Sequence, residues 1–283
     1  MRNRRGRLLL VIAVLLILAG LGYAGYICGG YIKGQREYEE LLNDFTSYDD
    51  EADTDTKGSA ATGENIGETD DDKVTDEQLK YGKEEELPAD APERRTIDWA
   101  GLKVKNEDIV AWIDIPAIEI SYPVLQAEDN DFYLHRDINR EYLFAGSIFM
   151  DCLNSADLSN YNTIIYGHNM RDGSMFAGLK RFHDEATLKS CNYFWIYTPE
   201  GDFLYKISSI HYAAVGSDTY TVRFGSYQEY VDWLNKMQNA TELRTGVELQ
   251  NGDKVVTLST CTTDASIRTV VHGKCIWYQQ GIT

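Results

Sequence analysis

Two β-type runs near the C-terminus lie only five residues apart. Residues 255–261 read Val-Val-Thr-Leu-Ser-Thr-Cys and residues 267–271 read Ile-Arg-Thr-Val-Val, with the polar break 262–266 between them. No other feature constrains the fold as much. The first strand ends on a thiol, and the second carries a guanidinium near its start, so the pair holds a sulfur beside a fixed cation. A nearby cation favours thiolate over thiol, and thiolate is the reactive form. Along a strand the side chains alternate, which puts Thr257, Ser259 and Cys261 on one face and Val256, Leu258 and Thr260 on the other.

Further β-type runs precede this hairpin. Residues 109–115 and 118–124 predict two strands joined at Pro116 and Ala117, with Pro123 marking an edge or a strand end. Residues 147–150, 162–166, 193–198 and 203–215 predict four more, the last two paired across the turn 199–202. Short helical segments interrupt them: 97–102, a turn at 129–135, 174–182, and 226–237 with Tyr227, Tyr230, Val231 and Leu234 on one face. Many short strands with a few inserted helices predict a mostly β fold, a closed barrel decorated by helices.

The N-terminal third is of another kind. Arg2, Arg4, Arg5 and Arg7 precede an apolar run over residues 8–32, long enough to cross a bilayer as a helix. The basic flank predicts a cytoplasmic N-terminus. A cleaved signal peptide is the alternative, but the run is long for one and no small-x-small site follows. A lipid anchor would need a small residue before Cys28, where Ile27 stands. Gly25 and Gly29 form a GxxxG pair. Residues 37–90 then carry 20 acidic against 4 basic side chains, which accounts for most of the net charge of −18. Residues 38–45 can continue the helix. Beyond them residues 47–75 have too few large apolar groups to offset chain entropy, so they predict a disordered spacer that keeps the folded part off the membrane. The expected organisation is a cytoplasmic tip and transmembrane helix (1–35), an acidic extracellular spacer (36–95) and a folded domain (96–283).

The charge argues against a nucleic-acid binder, which would carry basic stripes. The 5 cysteines are odd in number and form no CxxC pair. That argues against a disulfide-rich framework and against a Cys/His zinc site of ordinary spacing, and makes a free thiol worth seeking.

A partner for the thiol lies upstream. Residues 163–170 read Thr-Ile-Ile-Tyr-Gly-His-Asn-Met, a β-type run ending on Gly-His. Gly167 lets the backbone turn, and the polar neighbours Asn169, Arg171 and Asp172 put the His168 ring in a groove. Arg268 cannot deprotonate, and its planar fork suits a developing oxyanion. His135, His183, His211 and His272 read as structural. Cys261, His168 and Arg268 together predict an acyl-transfer site on the outside of a cell, with no metal or organic cofactor required.

The residues that carry this chemistry resemble a known family. Thr257-Leu258-Ser259-Thr260-Cys261 is similar to the TLxTC strand of the sortases, the cysteine transpeptidases of Gram-positive cell surfaces. Tyr166-Gly167-His168-Asn169-Met170, followed by Asp172-Gly173-Ser174-Met175-Phe176, resembles the histidine block of class B. Arg268 stands at the family's arginine, and Asp129-Asn130-Asp131-Phe132-Tyr133-Leu134 resembles the class B segment DNxxYL. The resemblance covers residues 106–279. It departs at one place: the interval from Cys261 to Arg268 is short for class B, whose longer loop contributes to the peptide groove.

The resemblance implies a closed barrel of about eight strands with N-terminal and inserted helices, preceded by the transmembrane helix. It also implies catalytic His168, Cys261 and Arg268, a substrate groove lined by Asn130, Leu134 and Ser259, and no cofactor. Its partners would be secreted proteins bearing a C-terminal sorting signal of LPxTG or NPxTx type and a peptidoglycan-precursor amine. A pilus-polymerising enzyme using a pilin lysine is the alternative within the family. Outside it stand a papain-like cysteine hydrolase, which places Cys before His in the chain, and a non-catalytic surface module with an inert thiol.

Overall fold

The computed structural model describes residues 2–48 and 86–281. Helix α1 (Arg2–Phe45) is a single rod of 44 residues, about 66 Å long at 1.5 Å per residue. Among the described residues it is the one helix long and apolar enough to cross a membrane. Its C-terminal part packs on the folded domain. Tyr38 and Leu41 are buried there, and the Tyr38 hydroxyl lies 2.9 Å from Ser147 Oγ. Strand β1 (Thr46–Tyr48) pairs with β2 (Arg95–Ile97). The acidic spacer expected from residue 36 therefore differs at its start. Residues 36–45 lie in α1, the continuation expected over 38–45, and residues 46–48 form β1, with Tyr38 and Leu41 supplying the apolar contacts. The expected disorder over 47–75 falls almost wholly outside the described residues.

Asp98 then caps helix α2 (Trp99–Lys105) by accepting from the Gly101 N–H. Strands β3 (Ile109–Ile115) and β4 (Ile120–Leu125) follow, joined by a 3-10 turn at Pro116–Ile118. After a 3-10 turn at Tyr133–His135 come β5 (Ile148–Met150) and β6 (Asn162–Tyr166). The segment expected as a helix over 174–182 is a tight 3-10 stretch, Ala177–His183, followed by the short helix α3 (Glu185–Ser190). Strands β7 (Tyr193–Thr198) and β8 (Gly201–Ala214), helix α4 (Tyr227–Asn239), and strands β9 (Val255–Cys261) and β10 (Ile267–Gln280) complete the chain.

The eight strands β3 to β10 close into a barrel in the order β10-β8-β7-β3-β4-β5-β6-β9, with β9 returning to β10. The fold class expected from the runs is thus the fold observed. Pro123 sits inside β4 rather than at an edge. It lies opposite Trp112 of β3, and pairing with β5 begins one residue later at Val124, so the missing N–H leaves no partner unmet. Trp112, Phe194, Trp195, Tyr197 and Phe203 are buried in the main core. Helix α4 buries Tyr230, Trp233, Leu234 and Met237, at helical spacing, against Val255. Tyr227, expected on that face, is exposed. The i, i+3, i+4, i+7 stripe starts one turn later.

Three adjacent strands position the site. Strand β6 runs parallel to β9 with Ile164 opposite Thr257 and Tyr166 opposite Ser259. Strand β10 runs antiparallel to β9 with His272 opposite Thr257, Val270 opposite Ser259 and Arg268 opposite Cys261. A buried chain of hydrogen bonds crosses all three. Thr257 Oγ1 donates to Asn162 Oδ1 at 2.6 Å and lies 2.9 Å from His272 Nδ1. With the only hydroxyl proton spent on Asn162, His272 Nδ1 must be the donor in the second bond. Asn162 Nδ2 donates onward to the carbonyls of Thr219 and Thr221. His272 is fully buried, and burial lowers its pKa well below the ordinary value.

This buried histidine makes the fold acid-sensitive. Unfolded, it binds a proton near pH ~6.5; folded, it does so only far lower. Between those values the unfolded chain holds more protons. Stability is therefore complete above the unfolded value and falls as pH drops below it, by up to about 1.4 kcal/mol per pH unit for this group. Urea unfolding followed downward from neutral pH is expected to show that loss, and a His272→Gln variant to show a shallower one. Identical slopes in the two proteins would contradict the assignment.

Candidate active site

Cys261 ends β9 and Arg268 stands directly across from it on β10. Cross-strand Cβ atoms in such a pair lie about 4.5–5.5 Å apart. The register of β6 on β9, extended two residues past Tyr166, brings His168 to the level of Cys261, and the Gly167 N–H continues the ladder to the Ser259 carbonyl at 3.2 Å. Asn169 Nδ2 donates to the Cys261 carbonyl at 2.8 Å, which ties the two chain segments together just beyond the strands. Cys261 and Arg268 thus face each other across β9 and β10, and His168, two residues past the end of β6, borders the same groove.

Local chemistry explains each placement. Gly167 is required for close packing rather than for a turn: a Cβ there would meet the Phe176 ring at 2.7 Å. The His168 carbonyl accepts from the Phe176 N–H, which folds the following loop back over the strand. The hairpin between Cys261 and Arg268 is built by Asp264. Its Oδ1 accepts from both the backbone N–H and the hydroxyl of Ser266, and these bonds lower its pKa. Arg268 Nη1 donates to the carbonyls of Ala265 and Ile267 at 2.8 and 3.0 Å, so the same hairpin grips one arm of the guanidinium.

His168 Nε2 lies 2.8 Å from the Leu134 carbonyl. A carbonyl only accepts, so Nε2 carries the proton, and Nδ1 is left as the nitrogen able to exchange one. Burial lowers the His168 pKa, and the nearby charges of His135 and Arg268 lower it further, against the opposing bond to Leu134. The ring also stacks on His135, with centroids 5.3 Å apart and planes at 19°.

Asn130, Leu134, Tyr166, His168, Ser259, Cys261 and Arg268 line one groove of about 460 Å³, together with Phe149, Val215, Gly216, Tyr220 and Thr260. All six side chains singled out in the sequence thus border the same space. Asn130 is braced through both ends of its amide: Nδ2 donates to Asp151 Oδ2, and Oδ1 accepts from the Cys152 N–H. The Tyr166 hydroxyl donates to the same Asp151 oxygen. Ser259 Oγ lies 3.0 Å from the Tyr220 hydroxyl, so Tyr220 leans over β9 from the segment that follows β8. Tyr220 and Gly216 escape a reading of motifs because they come from a connection with no β period, and Val215, the last residue of the expected strand 203–215, lies just past the end of β8. Asp151 could have been flagged only as a polar residue directly following an apolar strand.

Among the described residues no cluster of His, Cys, Asp or Glu has the makings of a metal site. The arrangement offers a nucleophile, a proton carrier and a fixed cation in an open groove, which is what acyl transfer requires.

Comparison with known proteins bears on this geometry. The family described as Sortase domain matches residues 113–276. The chain is 35 % identical over 178 residues to Sortase B of Listeria monocytogenes, covering 62 % of this chain and 72 % of that protein. Among solved structures, Clostridium perfringens sortase B superposes with a TM-score of 0.60 at 32 % identity, over 63 % of this chain and 99 % of that one. A Staphylococcus aureus sortase B–substrate complex superposes with a TM-score of 0.60 at 30 % identity, over 63 % and 84 %.

The His168 environment sets an observable. In a Cys261→Ala variant, where no thiol titrates beside it, the ring signal of His168 followed by NMR is expected to titrate below the ordinary histidine value of about 6.5. A midpoint above that value would mean that the charged form is favoured and that the groove is wetter than described.

Proposed function

The chain belongs to the sortase family, in class B, and from that premise we propose that Cys261, His168 and Arg268 are its catalytic residues. The activity of the family is transpeptidation by a cysteine enzyme on proteins that bear a sorting signal. The observation that carries the assignment is the pairing of Cys261 with Arg268 across β9 and β10, with His168 at the end of the parallel partner β6.

The chemistry follows from the positions. His168, neutral in its buried setting, takes the thiol proton through Nδ1 as Cys261 attacks the carbonyl carbon of the scissile peptide bond. The tetrahedral oxyanion is held by the arm of Arg268 not committed to the hairpin and by backbone N–H groups. His168 then delivers its proton to the leaving amine, and a thioacyl enzyme remains. An incoming amine attacks that thioester, gives its proton to His168, and leaves as the new amide while the thiol is restored.

The substrate groove is proposed to take a signal of LPxTG or NPxTx type along Asn130, Leu134 and Ser259. The acceptor is proposed to be a peptidoglycan-precursor amine, with a pilin lysine as the alternative. Residues 1–35 serve as an uncleaved membrane anchor with the N-terminus in the cytoplasm, residues 36–95 as the acidic connecting segment, and residues 96–283 as the catalytic domain on the outer side. A papain-like hydrolase is disfavoured by a specific feature. There an Asn or Asp orients the histidine, whereas here Asn169 is spent on the Cys261 carbonyl and His168 is held by Leu134.

Incubation with sorting-signal peptides and an amine nucleophile tests the proposal. Cys261→Ala and His168→Ala are each expected to abolish amide exchange while leaving the circular-dichroism spectrum unchanged. Arg268→Lys is expected to lose about 100-fold in kcat/KM, since a point charge cannot reproduce the fork. Near-normal turnover by Cys261→Ala would refute the mechanism, and product formation indifferent to added amine would favour the hydrolase.

A further inference from the structure

The apolar run of α1 spans residues 8–32, about 37 Å of helix, against a bilayer hydrocarbon core of about 30 Å. Its last turns must therefore lie at the membrane–water boundary. Tyr23, Tyr26 and Tyr31 occupy this end, the residue type that collects at such boundaries. The barrel does not stand clear of it. Residues 141–144 lie alongside Gly25, Tyr26, Gly29, Gly30 and Tyr31, across a shallow groove. Leu143 packs on Gly34, where a Cβ would come within 2.9 Å of Leu143 Cδ2. Lys33 bridges to Glu141 at 2.7 Å. The small residues of the GxxxG pair thus face the groove flanked by this barrel segment.

On the same segment two large rings are left in the open: Tyr142 is 64 % exposed and Phe144 49 % exposed. Both adjoin the level of α1 that the span places at the outer boundary. Large exposed rings beside an apolar span have one natural occupant, the headgroup–acyl zone of the bilayer that the span enters.

We propose that residues 141–144 are a second membrane contact, with Tyr142 and Phe144 seated in the outer headgroup zone of the phospholipid bilayer. This rests on the reading of α1 as a membrane anchor. The seating fixes how the catalytic groove faces the membrane. Tyr31 and Phe144 are in ring contact at 6.4 Å, Phe144 and His135 at 6.0 Å, and His135 and His168 at 5.3 Å. Through this stack the membrane surface and the proton carrier belong to one packed unit, and the groove opens beside the bilayer rather than far above it.

Photo-cross-linking of the full-length chain in vesicles of phosphatidylethanolamine and phosphatidylglycerol tests the contact. p-Benzoylphenylalanine is placed at Leu16 in the span, at Tyr142, and at Tyr227, an exposed ring on α4. That helix packs on β8, whereas α1 packs on β4 across the barrel. Irradiation is expected to add a phospholipid mass at Leu16 and at Tyr142, with the Tyr142 yield about tenfold or more above that at Tyr227. An adduct at Leu16 with none at Tyr142 overturns the contact and leaves the anchor standing. No adduct at Leu16 removes the anchor, and the contact with it. Equal yields at Tyr142 and Tyr227 also overturn the contact.

Discussion

The register of β9 between β6 and β10 is the constraint on which the rest depends. Side chains on a strand alternate, so a slip of one residue would turn Cys261 toward the barrel interior and away from Arg268. The site has no tolerance for that error, and the fold guards against it one level down. Thr257, two pairs below Cys261 on the same face, is locked between Asn162 of β6 and His272 of β10. Any slip would break both bonds and strand buried polar groups, at about 1–3 kcal/mol for each. The network adds little net stability when intact. Its effect lies in the asymmetry between the correct register and every neighbouring one, and that asymmetry is what aligns thiol, imidazole and guanidinium.

Much of this was legible in the sequence, for reasons that differ by residue. The bounds of β6 and β9 follow from unbroken β-branched runs ending at Gly167 and Cys261, and the facing of Cys261 with Arg268 follows from the short hairpin alone. His168 was harder: a lone histidine after a glycine has many explanations, and only the parallel pairing of β6 on β9, a contact between residues some ninety apart, brings it to the thiol. The reason for Gly167 was misread, because the need for it lies in the Phe176 ring and not in its own backbone. Tyr220 and Asp151 were invisible, since each owes its place to a partner on another element. The helical continuation over 38–45 was legible, but the burial of Tyr38 and Leu41 was not, since it is decided by a surface elsewhere in the chain.

The electrostatics of the groove follow from the same geometry. Burial lowers the His168 pKa, and the neighbouring Arg268 guanidinium lowers it further. Both weaken the tendency of the imidazole to hold a proton at rest. In the mechanism proposed above, a proton accepted from the thiol is then held loosely and passes readily to a leaving amine, whose basicity is far greater. A histidine oriented by a carboxylate would hold that proton more firmly. Orientation by a neutral carbonyl, that of Leu134, keeps the ring in place and in one tautomer without adding charge.

That carbonyl also has a neighbour of consequence. Leu134 and His135 belong to one 3-10 turn; the first holds His168 by a hydrogen bond and the second by ring stacking. The turn is in its turn pinned from outside the barrel: His135 Nδ1 lies 3.2 Å from the Phe144 carbonyl, and the Leu143 N–H donates to the His135 carbonyl. Leu143 and Phe144 are the residues against which α1 packs. His168 is thus steadied from two directions, by the segment that follows β6 on the β9 side and by this turn, on which α1 bears, on the other. A truncated chain lacking α1 would keep the bonds within the turn and lose only the packing of α1 on Leu143 and Phe144, so among the site residues the imidazole is the one that α1 reaches through this turn.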